Sequence, residues 1–572
     1  MGAAGLHFLL AGDRGRLGLF CFGSGCGRPP GAERGYLRMK RKNRLIVETK
    51  CGAVEGICCE KRKNPAAKSE KEVIEFRSIP YAQPPVGELR WKPPVPVKRW
   101  EGVKNCREYG LIPMQYLDGA YVEPYQSDFY FDGVPKMGED CLYLNIMVSK
   151  KTLEGDEKRP VFVWFHGGGL SNGFTYEPEA DARAFAEKDI VVVSVEQRLG
   201  MFGYLALPQL TKEQGQSGNY GLMDQIMALE WIRENISCFA GDPDKITLGG
   251  QSGGTAKALT QVISPQNTTP VKRLILQSGF NWERQYPTQE QAEERGMQRL
   301  EERRIRPDCP LEVLRSMDAA CFIKERDKDN YGYTVNIDGL YVTDQSAKDA
   351  VRAGKLRDIS VLSGTNLGES DYLRAGSREE FYRAYREMLG ELYVKYEFEN
   401  LINVDDYGAD EMSRSLASLG LGCQDSRNLM LCRVYGKMAE EKIGGKSVNY
   451  AYLFSHRTPE RMEEVGTQRS ALRQWSWHSS ELWYSFDSIE EGKPRVRKWT
   501  DWDYNLAGKM NFYWSNFIKT GDPNGQGLPY WPPSGRKMGY MVLGDGIYGV
   551  EDKESRLEEL MEEFVKKRFD FS

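Results

Sequence analysis

Short, almost wholly apolar runs recur through the middle of this 572-residue chain. Val161–Phe165 and Ile190–Val195 have the pattern of strands buried on both faces. Ile246–Leu248 is a briefer β-type run, and Leu274–Leu276, Ile359–Leu362 and Tyr450–Phe454 are further strand candidates. Between them the period changes. Leu222, Ile226, Leu229, Ile232 and Ile236 fall at helical spacing and predict an amphipathic helix over Tyr220–Asn235. Asp503–Lys519 predicts an aromatic amphipathic helix that ends at Gly521-Asp522-Pro523-Asn524-Gly525. Strands alternating with helices over several hundred residues point to an α/β architecture on a largely parallel sheet.

The flanks read differently. Arg44–Thr49 and Gly52–Cys58 predict a β-hairpin, and Ile79-Pro80-Tyr81 with Pro93–Pro96 an extended, turn-rich segment. Tyr116–Phe131 has no clean period and reads as a surface loop, while Glu139–Ile146 ends in an alternating strand. Two charged stretches, 283–349 and 377–446, are expected to be helical insertions over the C-terminal edge of the sheet; Glu290–Arg304 is read as a solvated helix face. Residues 1–38 are rich in Gly and Arg, and their apolar run Leu6–Ala11 is too short for a secretory signal. They are expected to be a disordered extension. Met39-Lys40-Arg41-Lys42 would make a natural start, which marks 1–38 as a candidate mis-assigned start and 39–572 as the folded domain.

Composition narrows the function classes. A hydrophobic content of 40% and a charged content of 28% fit a soluble globular protein, and a net charge of −4 gives no footprint for nucleic acid. No run approaches 18 apolar residues, so no membrane anchor is expected. The twelve cysteines form no C-x-x-C pair, and four histidines are too few for a zinc pattern. Reduced thiols and a cytoplasmic location are the expectation, with neither metal nor organic cofactor. The oligomeric state is not encoded in any of these patterns.

The chemistry centres on Gly250-Gln251-Ser252-Gly253-Gly254, a G-x-S-x-G match between a strand and a helix-compatible segment, Lys257–Val262. A serine on a sharp strand-to-helix turn is held in strained geometry that exposes its Oγ and aims the next helix's N–H groups at a reacting oxygen. Serine ester cleavage also needs a base, an acid that orients it, and oxyanion donors. His166-Gly167-Gly168-Gly169 follows a buried strand, and its glycines let backbone N–H groups approach a substrate. His456 and His478 are both open as the base, and Glu369 and Asp371 as the acid; spacing alone chooses neither.

Together these motifs resemble the type-B carboxylesterase and cholinesterase family of α/β-hydrolases over about residues 44–539. The resemblance rests on Glu139–Ile146, His166–Gly169, Gly218–Gln225, Phe239–Pro243, Gln277-Ser278-Gly279 and Tyr513–Phe517 leading to Gly521-Asp522-Pro523-Asn524, in that order. It implies the α/β-hydrolase fold and cleavage of small-molecule carboxylic esters through an acyl-enzyme, with no cofactor. On the family pattern the nucleophile falls on Ser252, the acid on Glu369, the base on His478, and the oxyanion donors on the N–H groups of Gly168, Gly169 and Gly253. Amide, thioester or carbamate cleavage by the same triad is the neighbouring reading. A non-catalytic adhesion relative would lack a triad residue and carry an anchor.

Four departures from the family pattern stand out. Gln251 and Gly253 replace the usual Glu and Ala of the elbow; losing that carboxylate argues against a cationic choline ester. Gly368 and Ser370 replace an Asp and a Gly around the acid. Pro113 stands where the family's partner for Cys141 would be, so that family disulfide is expected to be absent. Trp475, Trp477, Trp483, Tyr484 and Phe486 surround His478 and read either as pocket lining or as packing.

Overall fold

The computed structural model describes residues 45–569 except 67–68, 70, 118–128, 131–132, 280–284, 324–331, 370–374, 408–428, 463, 467–474, 494–496 and 552–554. The 1–38 extension, Asp371, Ser370 and most of the Tyr116–Phe131 loop lie outside the described residues.

The apolar runs become the centre of a 13-stranded sheet. Its strands are β1 (Leu45–Thr49), β2 (Gly52–Cys58), β3 (Val73–Pro80), β4 (Val103–Asn105), β7 (Tyr143–Ser149), β8 (Arg159–Phe165), β9 (Val191–Val195), β10 (Gly241–Gln251), β11 (Val271–Gln277), β12 (Ser360–Asn366), β13 (Tyr450–Phe454), β14 (Tyr540–Leu543) and β15 (Ile547–Val550). A separate pair, β5 (Ile112–Pro113) and β6 (Met137–Gly138), stands apart. The order is β1-β2-β3-β7-β9-β8-β10-β11-β12-β13-β14-β15, with β4 beside β2. From β9 across to β14 every pairing is parallel; β1-β2, β2-β3, β3-β7, β7-β9 and the outer β14-β15 are antiparallel, and β4 runs parallel to β2.

Why the central runs are apolar at every position is plain in β8. Val161, Val163 and Phe165 join the core on one face of the sheet, and Phe162 and Trp164 join the core on the other. Trp164 meets Phe486 edge-on at 4.8 Å. The helix expected over Tyr220–Asn235 forms at those bounds, α1, but it is not amphipathic. It is buried on nearly every side, and two of its polar residues face internal partners: Asp224 pairs with Arg198 at 2.7 Å and Gln225 accepts from Gln261 at 2.8 Å. The elbow leads into α2 (Gly253–Ile263).

The charged stretches do contribute helices, among them α3 (Gln289–Glu302), α4 (Arg378–Leu389) and α5 (Leu429–Met438). Leu300 of α3 packs in a cluster with Trp91, Leu205 and Tyr220, while Phe381 and Tyr385 of α4 enter the core on the β8 Val161 side of the sheet. The long aromatic helix, α6 (Asp501–Thr520), starts at a Thr500–Asp503 capping box and ends at Gly521 with φ 87°. A last helix, α7 (Arg556–Phe569), sends Leu560, Met561 and Val565 into the same core as α4. No described helix is long and apolar enough to cross a membrane.

Trp164→Ala removes a side chain packed on both Phe162 and Phe486. It is expected to cost about 3–5 kcal/mol, read as a fall in the urea midpoint with an unchanged m-value.

Candidate active site

Strand pairing sets the site. β8 lies between β9 and β10, so the chain leaves β8 for one neighbour and returns from far along the sequence as the other. In open α/β sheets a crevice opens at such a reversal, beyond the carboxyl ends of the strands. Gly250 pairs with Phe165, which sets Ser252 beside the His166–Gly169 loop. On the other side Gln251 pairs with Gln277, and Ser252 N–H donates to Gln277 O at 2.9 Å.

Ser252 sits at φ 53°, ψ −120°, a conformation a non-glycine residue holds only at a cost of about 1–3 kcal/mol. Thr255 Oγ1 staples the turn by donating to Ser252 O and Gly279 O at 2.6 and 2.7 Å. Ser252 is the N-cap of α2, so its hydroxyl stands at that helix's N-terminus.

The departure at Gly253 has a steric reason. A Cβ there would lie 2.2–2.4 Å from Gly169 O, Cα and N. The first turn of α2 and the glycine loop are thus in backbone contact, which no side chain at 253 could permit without displacement. Gly168 and Gly169 both have positive φ, 78° and 63°. The N–H groups of Gly168, Gly169 and Gly253 have no hydrogen-bond partner among the described residues.

Glu369 lies just past β12, and its carboxylate is held on every side. Oε1 accepts from Thr365 Oγ1 at 2.5 Å and Asn366 N–H at 2.6 Å; Oε2 faces His478 Nδ1 in a short hydrogen bond. Burial alone would push this carboxyl up, but His478, Thr365 and the Asn366 N–H bring it below the usual carboxylate range. The loops carrying acid and base are stitched together as well. Leu367 N–H donates to Ser476 Oγ, Gly368 N–H to Ser476 O, and Asn366 Nδ2 to Trp477 O. Glu481, three residues past His478, accepts from Asn366 Nδ2 at 2.5 Å; burial and the neighbouring Glu369 push it up to about 7.

The structure therefore brings Glu369 and His478 together and sets Ser252 beside them through Gln251. His478 Nε2 is met by the Gln251 amide nitrogen at 3.3 Å, which leaves the ring proton on Nδ1, toward Glu369. Among the described residues no hydrogen bond joins Ser252 Oγ to His478. His456 is elsewhere. Its two nitrogens reach Asp545 and Asp503 at 2.7 and 2.9 Å, so it clamps the start of α6 to the loop after β14. The aromatic residues flanking His478 are packing: Trp483, Tyr484 and Phe486 are fully buried in the core on the Trp164 face, and Trp477 nearly so. Trp475, half-buried, carries the Arg457 guanidinium 3.8 Å above its ring. Among the described residues no group of three His, Cys, Asp or Glu side chains is placed to hold a metal ion. The described cysteines, Cys141 included, are free.

The Carboxylesterase family model matches residues 43–556. The chain belongs to the carboxylesterase family. It is 29% identical to fumonisin B1 esterase of Sphingopyxis macrogoltabida, over 88% of this chain and 87% of that protein. It is 29% identical to para-nitrobenzyl esterase of Bacillus subtilis (strain 168), over 89% and 96%, and 28% identical to cholinesterase of Mus musculus, over 85% and 81%. This carboxylesterase is thus a serine hydrolase of carboxylic esters on the α/β-hydrolase fold.

Residue patterns missed Thr365, whose hydroxyl carries no motif of its own and matters only because β12 ends beside the acid. Gln277, read only as part of the Gln277-Ser278-Gly279 match, owes its place beside the elbow to the parallel pairing of β10 with β11.

Two outcomes follow from the site. Gly253→Ala, a return to the usual family residue, forces the glycine loop away and is expected to lower kcat/KM about 10- to 100-fold with the melting temperature little changed. For His456, burial pulls the ring down, but Asp503 and Asp545 outweigh it and hold it above the ordinary value. Such a raised group stabilises the fold fully below its unfolded value of about 6.5 and loses that contribution as pH rises through the folded value. His456→Asn should therefore keep kcat within about twofold while destabilising the protein more at pH 6 than at pH 9, read by denaturant midpoints.

Proposed function

We propose that Ser252, Glu369 and His478 form the catalytic triad of this esterase and that the N–H groups of Gly168, Gly169 and Gly253 form its oxyanion hole. The observation that carries the reading is the Glu369–His478 pair, with the ring proton on Nδ1 and Nε2 met by the Gln251 amide, the residue just before the strained Ser252. Ser252 Oγ attacks the ester carbonyl as His478 Nε2 takes its proton. Glu369 holds the tautomer and stabilises the imidazolium, which then protonates the leaving alcohol. Water repeats the sequence on the acyl-enzyme and regenerates Ser252.

For this step the ring must exchange the Gln251 amide for the Ser252 hydroxyl. Hydrogen bonds of this kind are commonly loose before substrate arrives. His478 has room to move, since 42% of its side chain is exposed, while 8% of Glu369 is.

The substrate class we favour is a small uncharged carboxylic ester. Gln251 is fully buried beside His478, so the elbow carries an amide where the usual family residue would place a charge to attract a cation. The free thiols of the described residues fit a reducing, cytoplasmic setting.

The test is hydrolysis of p-nitrophenyl acetate, butyrate and octanoate. Ser252→Ala is expected to lose about 10⁴- to 10⁶-fold in kcat and Glu369→Gln about 10⁴-fold. Full activity in Ser252→Ala would overturn the assignment. The trend along the three chain lengths then sizes the acyl pocket.

A further inference from the structure

Beneath the glycine loop lies a cation that the triad does not use. Lys257 stands five residues past Ser252 on α2, and only 1% of its surface is exposed. Its ammonium donates to His166 O at 2.9 Å and lies 3.4 Å from Gly167 O. The Gln197 amide satisfies both its ends when its nitrogen donates to Val195 O. In that orientation its oxygen accepts from Lys257 at 3.2 Å and from His166 Nε2 at 2.7 Å. Three protein oxygens thus lie around the ammonium, two of them carbonyls of the loop that carries Gly168 and Gly169, and His166 Nδ1 lies 3.4 Å from it as well.

The environment makes this placement costly. Burial pulls Lys257 down to about 7 against the opposing charges of Glu196 and Glu177. Burial in turn pushes Glu196 up to about 8 and Glu177 up to about 7. Glu196 Oε1 accepts from the Thr175 N–H and hydroxyl at 2.8 Å, and its Oε2 lies 3.9 Å from His166 Nε2. A methionine of similar shape would avoid the desolvation cost of the ammonium, so packing alone does not account for the lysine.

Peptide geometry suggests what the cation does. In a planar trans peptide the C=O and N–H point opposite ways. Gly167 O and Gly168 N–H belong to one peptide, so an ammonium drawn to that oxygen aims that N–H away from itself and polarises it as a donor. We propose that Lys257 is a positioning residue for the oxyanion loop, gripping His166 O and Gly167 O from below so that Gly168 N–H is fixed toward the reacting carbonyl. This rests on the reading of Gly168 as an oxyanion donor given above. Lys257 never touches substrate; Gly253 and Lys257 instead hold the loop to α2 at two points one turn apart.

The experiment compares wild type with Lys257→Met, which keeps the bulk and removes the charge, and Lys257→Gln, which keeps a donor. Esterase kinetics are measured with p-nitrophenyl butyrate, and affinity with an aryl trifluoromethyl ketone whose adduct on Ser252 carries an oxyanion. Lys257→Met is expected to lose about 10- to 100-fold in kcat, less than the cost of deleting an oxyanion donor outright. KM should stay within about threefold, ketone affinity should weaken by the same factor as kcat, and the melting temperature should hold or rise. Lys257→Gln should fall between the two, and it carries the test alone if Lys257→Met does not fold. Rates within about threefold of wild type, or a loss of kcat with unchanged ketone affinity, would overturn the proposal. Ser252→Ala run in parallel separates the two failures. Activity surviving in Ser252→Ala sinks the reading of the site, whereas an inactive Ser252→Ala beside a fully active Lys257 variant sinks only this inference.

Discussion

The parallel pairing of β8 with β10 is the constraint on which the rest of this esterase depends. It sets two chain segments, 166–169 and 250–254, side by side at the carboxyl ends of adjacent strands. Everything local then follows from how closely they approach. Gly253 lies against the Gly169 backbone, a Cβ at Gly254 would come within 2.1 Å of Phe165 O, and Lys257 reaches the His166 and Gly167 carbonyls. The strain at Ser252 is sustained because this packing, with the Ser252–Gln277 and Thr255 bonds, over-determines the turn.

A second layer of order comes from buried polar groups that each have a defined partner. Arg198 and Asp224 join the loop after β9 to α1; Glu369 and His478 join the ends of two further loops; His456 joins α6 to the sheet's outer edge. Removing one member of such a pair leaves the other uncompensated, which makes these links costly to break singly. They also hold the acid and the base in register with an elbow that ends β10, two strands away from β12.

Much of the fold could be read from residues alone, and the reasons are physical. Doubly buried strands such as Val161–Phe165 announce themselves because both faces need apolar side chains. The outer strands are less legible: β14 is an apolar run of only four residues, and the edge strand β15 is largely exposed. Tyr220–Asn235 was legible as a helix but not in its surroundings, because Asp224, Gln225 and Asn235 look like a solvent face until their internal partners are known. The choice between His456 and His478 could not be made by spacing; family resemblance favoured His478, and the structure pairs it with Glu369 while His456 takes two other carboxylates. Lys257 was the least legible of all. A lysine in a helix is ordinarily solvated, and only the loop folding over α2 turns this one inward.

The most direct measurement is covalent. Purified protein is titrated with a fluorophosphonate, and the adduct is mapped by peptide mass spectrometry alongside residual esterase activity. One adduct per chain is expected, on the peptide bearing Ser252, with activity falling to zero in proportion to labelling. Adducts confined to another residue, or undiminished ester hydrolysis in fully labelled protein, would contradict this expectation.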